Sequence, residues 1–214
     1  MVYLPAVTAI VAAVFALVVL RQYGGHRKTY QLMWGTGFAM FAIAAFAGYL
    51  ARSGGTTESE YRVFYLFGAI LNVAWLALGT LYLLAPRRWA RISLALVALL
   101  SLIAAYAVVS APVDVTAAAD SGRGFPNASL PRILAGVGSG AGSVVLVGGA
   151  LWSAWVFFSE RHNGRRAIAN VVIAVGVLIV AAGGTATFTG ASGVLELANL
   201  VGLAVMFAGF LLIG

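Results

Sequence analysis

The sequence predicts an all-α polytopic membrane protein: a single bundle of seven transmembrane helices over residues 1–214, N-terminus out and C-terminus in. Three observations predict it. The chain is 62% hydrophobic and only 9% charged, against about 25% charged in a soluble domain, so it has too few charges to coat a water-facing surface. Seven stretches are apolar for about the 20 residues a helix needs to cross a hydrocarbon core: 3–20, 31–51, 63–85, 92–111, 133–158, 167–188 and 194–214. They are apolar all round and too long for the alternating strands of a β-barrel. The third observation is the alternation of charge in the loops between them.

Arg21, Arg27 and Lys28, then Arg87, Arg88 and Arg91, then Arg161, Arg165 and Arg166 fall on one side. Arg52, Arg62, Arg123 and Arg132 fall on the other. The richer side is cytoplasmic by the positive-inside rule. The acids divide the opposite way, with Glu58, Glu60, Asp114, Asp120 and Glu196 outside and Glu160 inside. The formal charge of +7 therefore belongs to topology and not to nucleic acid. The plasma membrane is the expected location, with the lipid bilayer as partner and anionic lipids at the basic inner loops, each Lys or Arg contributing about 1 kcal/mol there.

The first helix, 3–20, has no basic residue ahead of it and three after it, the reverse of a cleaved signal peptide. The second, 31–51, sets Gly35, Ala39 and Ala42 beside Trp34, Phe38 and Phe41. Small residues seat a neighbouring helix, and the aromatics are read as core or lipid contact before a quinone or carotenoid face.

The third helix is the most informative. Tyr61, Tyr65, Gly68, Asn72, Trp75, Gly79 and Tyr82 recur at steps of four and three, which is one stripe of an α-helix. An amide facing lipid lacks a partner, so the stripe is expected to face the bundle, with Tyr61 and Tyr82 at the two interfaces. Asn72 reads either as interhelical glue or, with Tyr65, Trp75 and Asn199, as the wall of a ligand site.

After the fourth helix comes the longest loop, 112–131, expected outside as an irregular cap with one short helix. Its Asn127-Ala128-Ser129 matches a glycosylation sequon, a pattern short enough to arise by chance. The fifth helix holds Gly136, Gly138, Gly140 and Gly142, two interleaved GxxxG pairs that predict close helix packing. Gly183, Gly184, Thr185, Thr187 and Thr189, before Gly190 and Gly193, read as a frayed outer end and turn. Glu196 opens the seventh helix, where a carboxylate suits the dipole; Arg62 is its expected partner at similar depth. Asn72-x-x-x-Leu76-Ala77 and Asn199-x-x-x-Leu203-Ala204 match, a weak sign of a parallel duplication. The chain stops at Gly214, flush with the expected inner boundary.

Several chemistries are not expected. Cysteine is absent, which removes thiol nucleophiles and thiolate metal sites. His26 and His162 lie in loops, so no haem or metal ligands stand within the bundle. Lys28 is the sole lysine and lies in a loop, which leaves no covalent retinal site. No catalytic or metal constellation is visible, and a membrane enzyme ranks last. The expected function is binding or transport of a small, mostly neutral or apolar solute within the bundle. The alternative is a non-catalytic accessory or assembly subunit, packed through its glycines on a membrane protein partner or a second copy.

Overall fold

The computed structural model describes the backbone of residues 3–159, 164–189 and 194–213. Glu160, Arg161, His162, Gly190, Gly193 and Gly214 lie outside the described residues, as do the side chains of Asp120, Arg165, Arg166, Thr187 and Thr189. The described chain is helical: α1 (Leu4–His26), α2 (Thr29–Gly54), α3 (Glu58–Phe64), a π-helical segment π1 (Tyr65–Leu71), α4 (Asn72–Leu84), α5 (Arg87–Ser110), α6 (Val115–Ser121), α7 (Leu130–Ala135), a second π-helical segment π2 (Gly136–Ala141), α8 (Gly142–Ser159), α9 (Gly164–Thr189) and α10 (Val194–Ile213). Seven helices are long and apolar enough to cross a membrane, with Glu58–Leu84 and Leu130–Val156 each counted as one.

The helices outrun the apolar stretches that predict them. α1 continues through Arg21 to His26 and stops where Arg27 takes a left-handed conformation, its N–H on Tyr23 O. α5 begins at Arg87, behind Pro86. Backbone pairing does not stop where apolar side chains do, so the apolar run sets a minimum length. The short helix expected in the long loop is α6, capped by Asp114, whose carboxylate accepts from Ala117 N.

The chain forms two compact units, Met1–Gly142 and Ser143–Gly214. In the first, α2 packs on α1 and on the α3–π1–α4 helix. Gly35 lies against Leu20, Gly37 against Leu76 and Gly68 against Ala44. The Trp34 ring fills the space over Gly79 and its Nε1 donates to Leu76 O at 3.1 Å. Phe38 stacks on Phe15, and both Phe38 and Phe41 are buried, so these aromatics are core.

The second unit is built on the pairing of α9 with α10. A Cβ at Gly176 would stand 2.6 Å from Gly202 O, one at Gly202 2.7 Å from Gly176 O, and one at Gly209 2.9 Å from Ala169 O. Gly183 lies against Ala198. The Gly183–Thr189 stretch, expected to fray, is the last part of α9: Gly183 has packing to hold it, and Thr185 Oγ1 donates to Ala181 O at 2.9 Å. Asn170 Nδ2 donates to Ser153 Oγ at 3.1 Å, tying α9 to α8.

Candidate functional site

Two adjacent residues of α3 organise the loop end of the first unit. The helix opens with a capping box, Thr57 with Glu60, which satisfies two of its free N–H groups. One turn on, Tyr61 is buried at 4% exposure. Its hydroxyl donates to Gly122 O at 3.1 Å and accepts from Gly124 N at 2.9 Å. Gly122 ends α6 at φ 69°, a conformation cheap only for glycine. A Cβ on Gly124 would stand 2.8 Å from the Tyr61 ring, so that position also needs glycine. Beside them Phe125, 1% exposed, packs on Tyr61 at 5.3 Å and edge-on to Tyr65 at 4.8 Å between ring centroids.

Arg62 holds the other end of the loop. Its guanidinium donates to Val108 O and, at 2.9 Å, to Ala111 O, where α5 runs out of amide partners. It also pairs with Glu58 one turn back, Nε to Oε1 at 3.0 Å. A cation at a helix C-terminus meets the negative end of the dipole. Asp114 N donates to Gly124 O at 2.8 Å and closes the loop on itself.

On this loop lies an open cleft of about 490 Å³. Asp114, Arg123, Asn127 and Arg132 give it polar walls, and Phe125 and Val113 apolar ones. Arg132 NH1 donates to Asn127 Oδ1 at 2.8 Å. Arg132 sits on α7, so the cleft spans α7 and the loop that α3 fixes. Among the described residues no three His, Asp or Glu side chains stand together as a metal site needs.

Deeper in the same unit, π1 and π2 lie against each other. Gly138 lets the two backbones meet: a Cβ there would press on the Ile70 carbonyl and stand 3.3 Å from its Cγ2. Gly142 plays the same part on Val73, at 3.0 Å. Nothing else in the first unit comes within 4 Å of a Cβ built on Gly136 or Gly140. One GxxxG pair is therefore used within the unit and the interleaved one faces away from it.

The hydrogen bonds here account for Asn72. Its backbone N–H reaches five residues back to Phe67 O, the π pattern. In an α-helix Val73 N–H would pair with Ala69 C=O, four residues back. Both groups have side-chain partners instead: Val73 N donates to Asn72 Oδ1 at 2.7 Å, and Ala69 O accepts from Ser139 Oγ of π2 at 2.6 Å. Buried backbone groups must be paired somewhere, and Asn72 and Ser139 do that work for a turn the backbone leaves open.

The expected ligand wall is thus distributed. Tyr65 packs on Phe125, Asn72 caps its own helix at 2% exposure, and Trp75 Nε1 donates to Ser101 Oγ on α5 at 3.3 Å. Asn199 and Glu196 belong to α10 in the second unit, both half-buried. No protein-family model, curated protein or solved structure matches the chain.

Proposed function

We propose that the chain is an integral protein of the plasma membrane, N-terminus out, that binds a small solute in the cleft at the outer mouth of its first unit. The observation that carries this reading is the double clamp of Tyr61 and Arg62. Two neighbouring side chains spend their polar groups on holding both ends of the cleft-bearing loop. A wall fixed before binding loses less entropy when a ligand arrives, and about 490 Å³ is a common size for a small-molecule site, roughly 300–1,000 Å³. The charge bias of the loops supports the outward orientation.

In this reading Arg123, Arg132, Asp114 and Asn127 contact the solute, and Tyr65, Asn72 and Trp75 support the site from below. The lining suits a small polar solute with an apolar body better than the neutral one suggested by the helical stripe. Native mass spectrometry of the chain extracted with its lipids tests it. A small-molecule adduct on the wild type that Arg132→Gln loses supports the cleft; an adduct equally abundant in both removes it.

A second reading, an accessory subunit, is favoured by one observation: Gly136 and Gly140 form a close-packing pair that the first unit does not use. A partner helix, from another protein or a second copy, would fit there. Co-purification of a stoichiometric partner, lost in Gly140→Leu, is the outcome this reading requires.

A further inference from the structure

Two π segments in one unit are unusual, since π-helix makes up well under 1% of residues in globular proteins, and such turns concentrate at functional sites. Here they also touch, and one pair of backbone groups shows what they are built to do. Val73 N–H and Ala69 C=O are partners-in-waiting, held apart by one side chain from each π segment. If Asn72 and Ser139 release them, the ordinary α-helical bond can close. The extra residue of π1 then moves toward α3, and α3 turns against α4 by about 100° for the one residue gained.

We propose that this turn is a two-state switch coupled to the cleft: held open by Asn72 and Ser139, it keeps Tyr61 and Arg62 on the loop, and when it closes it rotates both clamps away. α7 is coupled in the same way, because π2 supplies Ser139 and α7 carries Arg132. The inference rests on the outer-cleft reading for its role in binding, but not for its existence. Each holder is a single hydrogen bond to a backbone group, so neither state is favoured overwhelmingly. Gly138 allows the change, because with no side chain it lets π2 slide over the Ile70 carbonyl.

Hydrogen–deuterium exchange of the purified chain in lipid nanodiscs tests the switch without any ligand. Ser139→Ala removes the holder on π2. It is expected to speed exchange in distant segments, 58–64 on α3 and 122–124 on the loop, by about three- to twenty-fold, the range for one interhelical side-chain hydrogen bond in a membrane protein. Asn72→Ala removes the other holder without touching π2 and must give the same pattern. Thr36→Val, which deletes a hydroxyl bonded to Leu32 O within α2, must leave those segments unchanged. Folded Ser139→Ala and Asn72→Ala proteins with unaltered exchange at 58–64 and 122–124 overturn the proposal, as does a change confined to 136–141. If the switch fails in this way, the adduct experiment on Arg132 still stands, and the reverse holds as well.

Discussion

The two units bring helices together by the same device and use it for opposite ends. In the second, glycine meets glycine: Gly176 and Gly202 each leave room for the other's carbonyl, and α9 and α10 run as unbroken α-helices. In the first, Gly138 and Gly142 allow a similar approach, but the helices that meet there are both interrupted. The freed backbone groups are held by side chains, Asn72 and Ser139. Close packing alone makes a rigid pair; close packing at a broken ladder makes a contact with two ways of being satisfied. The cleft lies on the unit of the second kind.

The sharpest way to break this comparison is to overfill it. Gly202→Leu forces a side chain onto the Gly176 carbonyl, and backbone cannot step aside as a side chain would. The expected loss is about 3 kcal/mol or more, the upper range of overpacking, read as unfolding in mixed micelles. Gly140→Leu is the matched change in the first unit. It meets open space there and trades glycine for a better helix former, so the isolated chain is expected to be unaffected or slightly stabilised. Equal losses in the two variants would show that glycine is needed in both places for backbone reasons and that the contrast is false.

A smaller effect is expected at the clamp. Tyr61→Phe keeps the ring against Phe125 and Tyr65 but leaves Gly122 O and Gly124 N without their partner. Orphaning buried groups costs about 1–3 kcal/mol. Because the loop bears the cleft, proteolysis at 122–124 should accelerate together with that loss. Tyr106→Phe, on an exposed α5 side chain, should do neither. A clamp variant with wild-type protease resistance would remove the argument that the cleft is preformed.

How far the sequence could be read depends on which physical signal each feature leaves. The seven spans and the helix in the long loop were legible because apolar length and turn residues are local. Both GxxxG pairs were legible too, but not which of them meets α4, since that depends on the partner surface. The stripe from Tyr61 to Tyr82 was drawn at α-helical spacing, and π1 breaks that assumption. One extra residue turns the rest of the helix by about 100°, so Tyr61 and Tyr65 meet Phe125, Trp75 meets Ser101, and Gly79 meets Trp34. Tyr-Leu-Phe-Gly-Ala-Ile-Leu carries no mark that separates a π turn from an α turn. Tyr61 reads as an interfacial tyrosine until the loop returns to it from more than sixty residues away. Ser139 was hidden for the same reason: between two glycines it resembles packing, and its partner lies seventy residues back.

The smallest expected effect is the most discriminating for the wall once assigned to Trp75. If the indole is only a tie between α4 and α5, Trp75→Phe loses one hydrogen bond to Ser101 and keeps most of the packing. Side-chain hydrogen bonds between membrane helices average about 0.6 kcal/mol and reach about 1.7. A double-mutant cycle with Ser101→Ala isolates the pair, because the Ser101 bond to Val97 O is lost with or without the indole present and cancels. A coupling in that range makes Trp75 a tie that holds the inner half of the helix still while α3 moves. Coupling near zero, with solute binding nonetheless lost in Trp75→Phe, would move the site inward from the cleft to the stripe and set the polar unit's bonds to work on a ligand instead of on its own backbone.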